Sequence, residues 1–283
     1  MKSESKMNCF MRIPVLCIML GGFGLYAASE PVSIDLNPYF GKAAASAVFT
    51  CPARNETLVF NRAGAETRIS PCSTFKIIAT LMGLDSGVLK GKETRLGYDG
   101  TRYDFKDWNH DVTLEEAFRA SCVWYYKKLT SRLDKAYVQK TLDRLDYGNR
   151  DLSVWNESGH NGFWLESCLR ISPAEQVRVM EKIFSGKSGF RPEHVALLKD
   201  LMRYEPIEKV GYYGKTGTGR NPETKHLEGR LSGFLVFPDG TAVYYAIHMA
   251  DPDREISGPD IRPILRKLVE SGALNRFQGP AVK

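Results

Sequence analysis

The hydrophobic period of this chain switches from that of strands to that of helices and back, and few folds accommodate that order. Residues 43–50 and 56–61 are rich in β-branched and aromatic side chains around a turn at 52–55, which predicts a hairpin. Residues 73–86 then read as an apolar helix that Gly87 stops. Thr113 with Glu116 forms a capping box, and helical character continues through Trp124 and Leu129. Further helices are expected over 135–145, from Ser172-Pro173 onward, and over 192–202. Residues 90–112 and 150–168 are irregular. The strand period returns at 209–214, which enters Lys215-Thr216-Gly217, and at 230–237 and 241–249 around Pro238-Asp239-Gly240. An amphipathic helix over 261–271 closes the chain. Strands at both ends with helices between them predict an α/β (α+β) fold. An antiparallel sheet drawn from both termini is flanked by helices, with an all-helical region inserted. The expected division is 30–72 with 204–283 for the sheet region and 73–203 for the helical region, with one catalytic unit and its site between them.

Residues 1–29 read as an export signal. Lys2, Lys6 and Arg12 precede an apolar run, and Ala27-Ala28-Ser29 offers a cleavage site. An uncleaved N-terminal anchor is the alternative, disfavoured because the run is short for a membrane span. The net charge is +6, and loss of a segment holding those three cations and Glu4 leaves +4. No basic cluster interleaved with aromatics accompanies that charge, which argues against nucleic acid as a partner. Of six cysteines, Cys51, Cys72, Cys122 and Cys168 lie beyond the signal, without a Cys-x-x-Cys pair. The five histidines stand at no metal-ligand spacing, so no metal site is expected.

Chemistry concentrates at Ser73-Thr74-Phe75-Lys76. Residues three apart share a helix face, so the Ser73 hydroxyl and the Lys76 amine can meet. A serine needs an adjacent base, and a lysine becomes one when burial lowers its pKa. The pair alone is weak evidence, because Ser3 to Lys6 repeats the spacing. Ser121-Cys122-Val123 offers a second hydroxyl on the next helical segment. Tyr147-Gly148-Asn149 follows a helix end and reads as a turn. Gly214-Lys215-Thr216 imitates the end of a phosphate-binding loop, but position 209 is lysine where that loop requires glycine, and no helix follows. Lys215, Thr216 and Gly217 instead suit a strand edge presenting a cation, a hydroxyl and backbone N–H groups to an anionic, peptide-like substrate.

The ordered set of these motifs, with Lys106-Asp107-Trp108, Phe163-Trp164-Leu165-Glu166 and Leu169-Arg170-Ile171-Ser172, resembles the class D, oxacillinase-type, serine β-lactamases over nearly all of the chain beyond residue 29. The resemblance implies a β-lactamase fold and hydrolysis of penicillins through a serine acyl-enzyme. It implies that Lys76 is carboxylated by CO2, no other cofactor being needed, and that the carbamate is supported by Trp164 in a pocket that Val123 keeps apolar. Ser73 is then the nucleophile, and Ser121 passes a proton to the lactam nitrogen. The N–H groups of Ser73 and Thr218 make the oxyanion hole. Lys215, Thr216, Gly217, Trp108 and Val123 contact substrate, and either Arg262 or Arg220 binds its carboxylate, Arg262 being preferred. Tyr147, Gly148 and Asn149 complete the motif set. Cys72 and Cys122, each beside one of the serines, are either disulfide-bonded or two buried thiols. The expected setting is the periplasm, without a stable membrane partner, as a monomer or homodimer. A β-lactam sensor or a penicillin-binding protein that is acylated but not turned over is the rival reading.

Overall fold

The computed structural model describes residues 29–156 and 161–279, so the export signal expected over 1–29 lies, apart from Ser29, outside the described residues. Seven strands make one mixed sheet: β1 (Val32–Ser33), β2 (Ala44–Cys51), β3 (Glu56–Phe60), β4 (Arg203–Ile207), β5 (Val210–Arg220), β6 (Leu227–Val236) and β7 (Ala242–Ala250). Their order is β1-β3-β2-β7-β6-β5-β4, and every pairing is antiparallel except β1 with β3. The predicted α+β architecture is the one observed: β2 from one end of the chain pairs with β7 from the other, Ala44 opposite Ala250 and Thr50 opposite Tyr244.

The helices are α1 (Asn37–Phe40), α2 (Arg62–Glu66), α3 (Lys76–Asp85), α4 (Leu114–Arg119), α5 (Val123–Ser131), α6 (Lys135–Leu145), α7 (Pro173–Phe184), α8 (Pro192–Leu201) and α9 (Gly258–Glu270). Helix α7 packs on β2, β6 and β7, and α9 packs on β4, β5 and β6. Strand alternation divides the core in two. Val48, Phe234 and Tyr244 join the cluster around α3, α6 and α7, whereas Phe49, Leu231, Tyr245 and Ile247 join the one beneath α9. On the same face of β6 as Phe234, Glu228 and Arg230 form a buried ion pair, with His248 Nε2 at 3.3 Å from Glu228.

The capping boxes expected at Thr113–Glu116 and Ser172–Glu175 both close. Ser257 with Asp260 closes a third that was not expected, so α9 begins at Gly258 and not at 261. Three other expectations are corrected. Helix does not run through Ser121: α4 ends at Arg119, α5 begins at Val123, and Ser121 lies in the break with φ +55°. Lys215-Thr216-Gly217 does not end its strand, because β5 continues to Arg220 against β6. The helix expected from residue 73 opens as a 3-10 turn, Cys72–Phe75, before α3 begins. Among the described residues no helix is long and apolar enough to cross a membrane.

Candidate active site

The 3-10 turn running into α3 places Ser73 and Lys76 on one face, and Ser73 Oγ lies 2.6 Å from Lys76 Nζ. Ser121 reaches the same spot from the α4–α5 break, its Oγ 3.4 Å from Lys76 Nζ and 3.0 Å from Lys215 Nζ. Lys215 also donates to the Thr216 carbonyl at 3.1 Å. Two hydroxyls and two amines from three separate segments thus form one continuous array. A left-handed, non-glycine backbone costs of order 1 kcal/mol or more, yet Cys72 (φ +46°) and Ser121 (φ +55°) both adopt it beside this array.

Burial sets the electrostatics. Lys76 is fully buried, and desolvation followed by the Lys215 charge holds its pKa well below the ordinary lysine value. Lys215 is pushed down to about 7 by burial and then by the charge of Arg262. Lys76 Nζ lies 4.8 Å from the Trp164 ring centroid and 5.3 Å from that of Tyr126. Phe75 stacks on Trp164 and meets Phe163 and Tyr147 edge-on, so an aromatic cage walls this end of α3. The Trp164 indole N–H is buried and has no hydrogen-bond partner. Such a donor costs about 1–3 kcal/mol unless something accepts from it.

Strand β5 forms the opposite wall. Gly214 N donates to Met202 O at 2.8 Å, and Arg220 N donates to the Glu166 carboxylate. In an antiparallel ladder successive N–H groups alternate between the two edges, so Thr216 and Thr218 face the same edge as Gly214 and Arg220. Gly217 passes close to the Ser73 turn: a methyl group would stand 3.2 Å from Pro71 O and Thr74 N and 3.3 Å from Ser73 N, so the turn would have to give by a few tenths of an ångström. On the other face Gly258 N donates to Thr218 Oγ1 at 3.0 Å.

The remaining expected residues lie around this core. Trp108 Nε1 donates to Ala120 O at 3.0 Å, steadying the approach to Ser121, and Val123 is half-buried at the start of α5. Tyr147 is buried against Phe75, and Asn149 exchanges hydrogen bonds with the Arg170 backbone and donates from its side chain to Cys168 O. A methyl on Gly148 would fall 1.9 Å from Arg170 O, and φ is +53°. This turn therefore docks the Trp164 loop. Arg262 stacks over Tyr204, its guanidinium carbon 4.1 Å from the ring centroid, without a direct bond to Lys215 or Thr216. Arg220 is committed elsewhere, its guanidinium donating to Lys225 O. Cys72 and Cys122 are buried free thiols, so the disulfide alternative is discarded. Among the described residues no group of three or more His, Cys, Asp or Glu is arranged to hold a metal ion.

Two participants carried no signal in sequence spacing. Ser70 Oγ donates to Trp164 O at 3.1 Å and accepts from Glu166 N at 2.9 Å. Gln176, on α7, donates to Thr74 Oγ1 at 2.9 Å. Both steady the turn that carries Ser73.

A sheet of this topology with a buried serine–lysine pair at its helical flank defines a class, and the penicillin binding protein transpeptidase domain matches residues 42–270. The OXA-2 β-lactamase of Salmonella typhimurium is 34% identical over 200 residues, which cover 70% of this chain and 68% of OXA-2. A crystal structure of a class D β-lactamase from Bacillus subtilis superposes with a TM-score of 0.76 at 29% identity, covering 85% of this chain and 96% of that one. The regulatory protein BlaR1 of Bacillus licheniformis is 31% identical over 222 residues, 78% of this chain, but the match spans only 36% of BlaR1. Within the transpeptidase-fold class, the chain belongs to the class D serine β-lactamases.

Proposed function

We propose that this protein is exported to the periplasm and hydrolyses β-lactam antibiotics, penicillins foremost, through an acyl-enzyme on Ser73, thereby conferring resistance. The observation that carries the reading is the buried Ser73–Lys76 contact of 2.6 Å beneath an unpartnered indole N–H. A neutral, desolvated amine is the form that combines with CO2, and the unused Trp164 donor fits an acceptor placed on Lys76. The carboxylate so formed supplies a general base for acylation and deacylation.

Ser73 Oγ attacks the lactam carbonyl as its proton leaves toward Lys76. The oxyanion is stabilised by the N–H groups of Ser73 and Thr218. The C–N bond breaks, and Ser121 delivers a proton to the departing nitrogen, replenished from Lys215 at 3.0 Å. Water then cleaves the ester and returns Ser73. Lys215 and Thr216 meet the substrate carboxylate, with Arg262 adding positive charge from behind Tyr204.

Mass spectrometry with benzylpenicillin, with and without bicarbonate, tests the reading. A transient adduct on Ser73, with turnover accelerated by bicarbonate, is expected. Bicarbonate-independent turnover would remove the modified lysine, and absence of any adduct would remove the whole reading. The likeness to BlaR1 favours one alternative, a sensor, for which the adduct would persist.

A further inference from the structure

The edge of β5 that faces Ser73 is closed at both ends. Gly214 N is taken by Met202 O, where β4 begins, and Arg220 N is taken by the Glu166 side chain. Between these ends lie the N–H groups of Thr216 and Thr218, about 7 Å apart at the rise of an extended strand, and Thr216 is engaged by Tyr204 through backbone and side chain. The Thr218 N–H is the proposed oxyanion donor, so an amide-bearing acyl chain that pairs with the edge uses the Thr218 carbonyl, which faces the same way in an antiparallel strand, but cannot continue past it. Glu166 is held to this task. Its φ is +47°, its N–H donates to Ser70 Oγ at 2.9 Å, and Ser70 in turn donates to Trp164 O at 3.1 Å. The carboxylate is thus tied through two hydrogen bonds to the turn that carries Ser73.

We infer that Glu166 limits the length of acyl chain the site accepts, by occupying the last outward N–H of β5. It is a specificity-determining residue, and it separates short-chain penicillins from substrates that lie along the sheet as an extra strand, as extended peptides do. The inference rests on the proposed acylation of Ser73 with the substrate lying along β5.

The experiment compares acylation efficiency for benzylpenicillin with that for a penicillin bearing a tripeptide acyl chain. In Glu166→Ala the tripeptidyl compound should gain tenfold or more relative to benzylpenicillin. Glu166→Gln keeps an acceptor oxygen and should retain the wild-type ratio. The gain should vanish in the double variant Glu166→Ala, Arg220→Pro, which lacks the N–H a longer chain would take over. Proline is tolerated there because β6 does not use that N–H. Glu166→Ser carries the same expectation if Glu166→Ala does not fold. An unchanged ratio on removal of the carboxylate, the same gain in Glu166→Gln, or a gain that survives Arg220→Pro overturns the inference. If wild-type Ser73 is not acylated by benzylpenicillin at all, it is the underlying reading of the site that fails.

Discussion

Trp164 and Lys215 show how single side chains set the chemistry of this pocket. The Trp164 N–H is buried without a partner, while its ring stacks on Phe75 at a centroid distance of 5.9 Å. Trp164→Phe would keep the stack and delete the donor. A hydrogen bond to a charged group contributes about 1.5–3 kcal/mol, so carboxylation of Lys76 should fall roughly tenfold or more. The check is the carbamate signal in NMR with 13C-bicarbonate, alongside deacylation slowed more than acylation. Equal losses in both steps would refute the role. Lys215 makes a separate prediction about pH. Its pKa lies near 7, so it loses its proton as pH rises through that value and with it the attraction for a substrate carboxylate. KM should therefore climb above about pH 7 for an anionic penicillin but not for its methyl ester. Lys215→Arg, permanently charged, should abolish the climb. A climb shared by acid and ester would exclude Lys215 as its origin.

At the level of elements, the site depends on places where regular structure is broken or crowded. The Ser121 break and the Gly148 turn are two of these. Gly148→Ala would need to move Arg170 O from 1.9 Å and to hold alanine at positive φ, at a cost of about 2 kcal/mol or more. A fall in Tm of roughly 5 °C or more is expected, together with loosening of the Trp164 loop. Unchanged thermal melting would contradict that crowding. Ser172→Ala, which removes one arm of the α7 capping box, should cost only about 1 kcal/mol. The contrast explains what could be read in the chain. Caps such as Thr113 and Ser172 are local, since the side chain and its N–H partner lie three residues apart. The αL conformation of Ser121 is imposed by tertiary contacts: Trp108, thirteen residues earlier, fixes Ala120 O, and Lys76 and Lys215 both hold the Ser121 hydroxyl. Strand β4, which contains Pro206, has no strand-like pattern and forms because β5 offers it a partner. Ser73, Lys76 and Lys215 were legible because their order is diagnostic. Ser70 and Gln176 were not, because their partners, Trp164 and Thr74, are brought to them only by the fold, and Glu166 was legible as part of a motif but not as the partner of Arg220.

For the whole molecule, the buried charges make stability a function of pH with a definite shape. Glu228, beside Arg230 and His248, has its pKa lowered to about 2 against an ordinary 4.5. Below both values it is protonated folded or unfolded. Between them the unfolded chain binds more protons, so stability rises as pH rises from about 2 to 4.5. Lys215 acts with the same sign in another window. Its folded pKa of about 7 lies below the ordinary 10.5, so the cost of burying its charge is complete below pH 7 and is relieved as pH increases. Lys76, lowered well below 10.5, adds to that relief. Cys122 opposes it at higher pH, since burial raises its pKa from 9.0 to about 11 and the unfolded thiol ionises first. Buried Tyr126 and Tyr245, with pKa values well above 10.0, act in the same direction as Cys122. The net profile is a rise from pH 2 to 4.5, a second rise that the two buried amines sustain through and beyond pH 7, and a decline once the tyrosines of the unfolded chain ionise above about 10. Calorimetry in CO2-depleted buffer should trace it. Glu228→Gln should flatten the first rise and lower stability above it, because Arg230 loses its buried counter-charge. Lys76→Met with Lys215→Met should flatten the second rise and increase Tm at pH 7 by several degrees while abolishing acylation, since both amines are buried for the reaction and not for the fold. A second rise that persists in that double variant would mean that the array around Ser73 is not what makes the protein less stable at neutral pH.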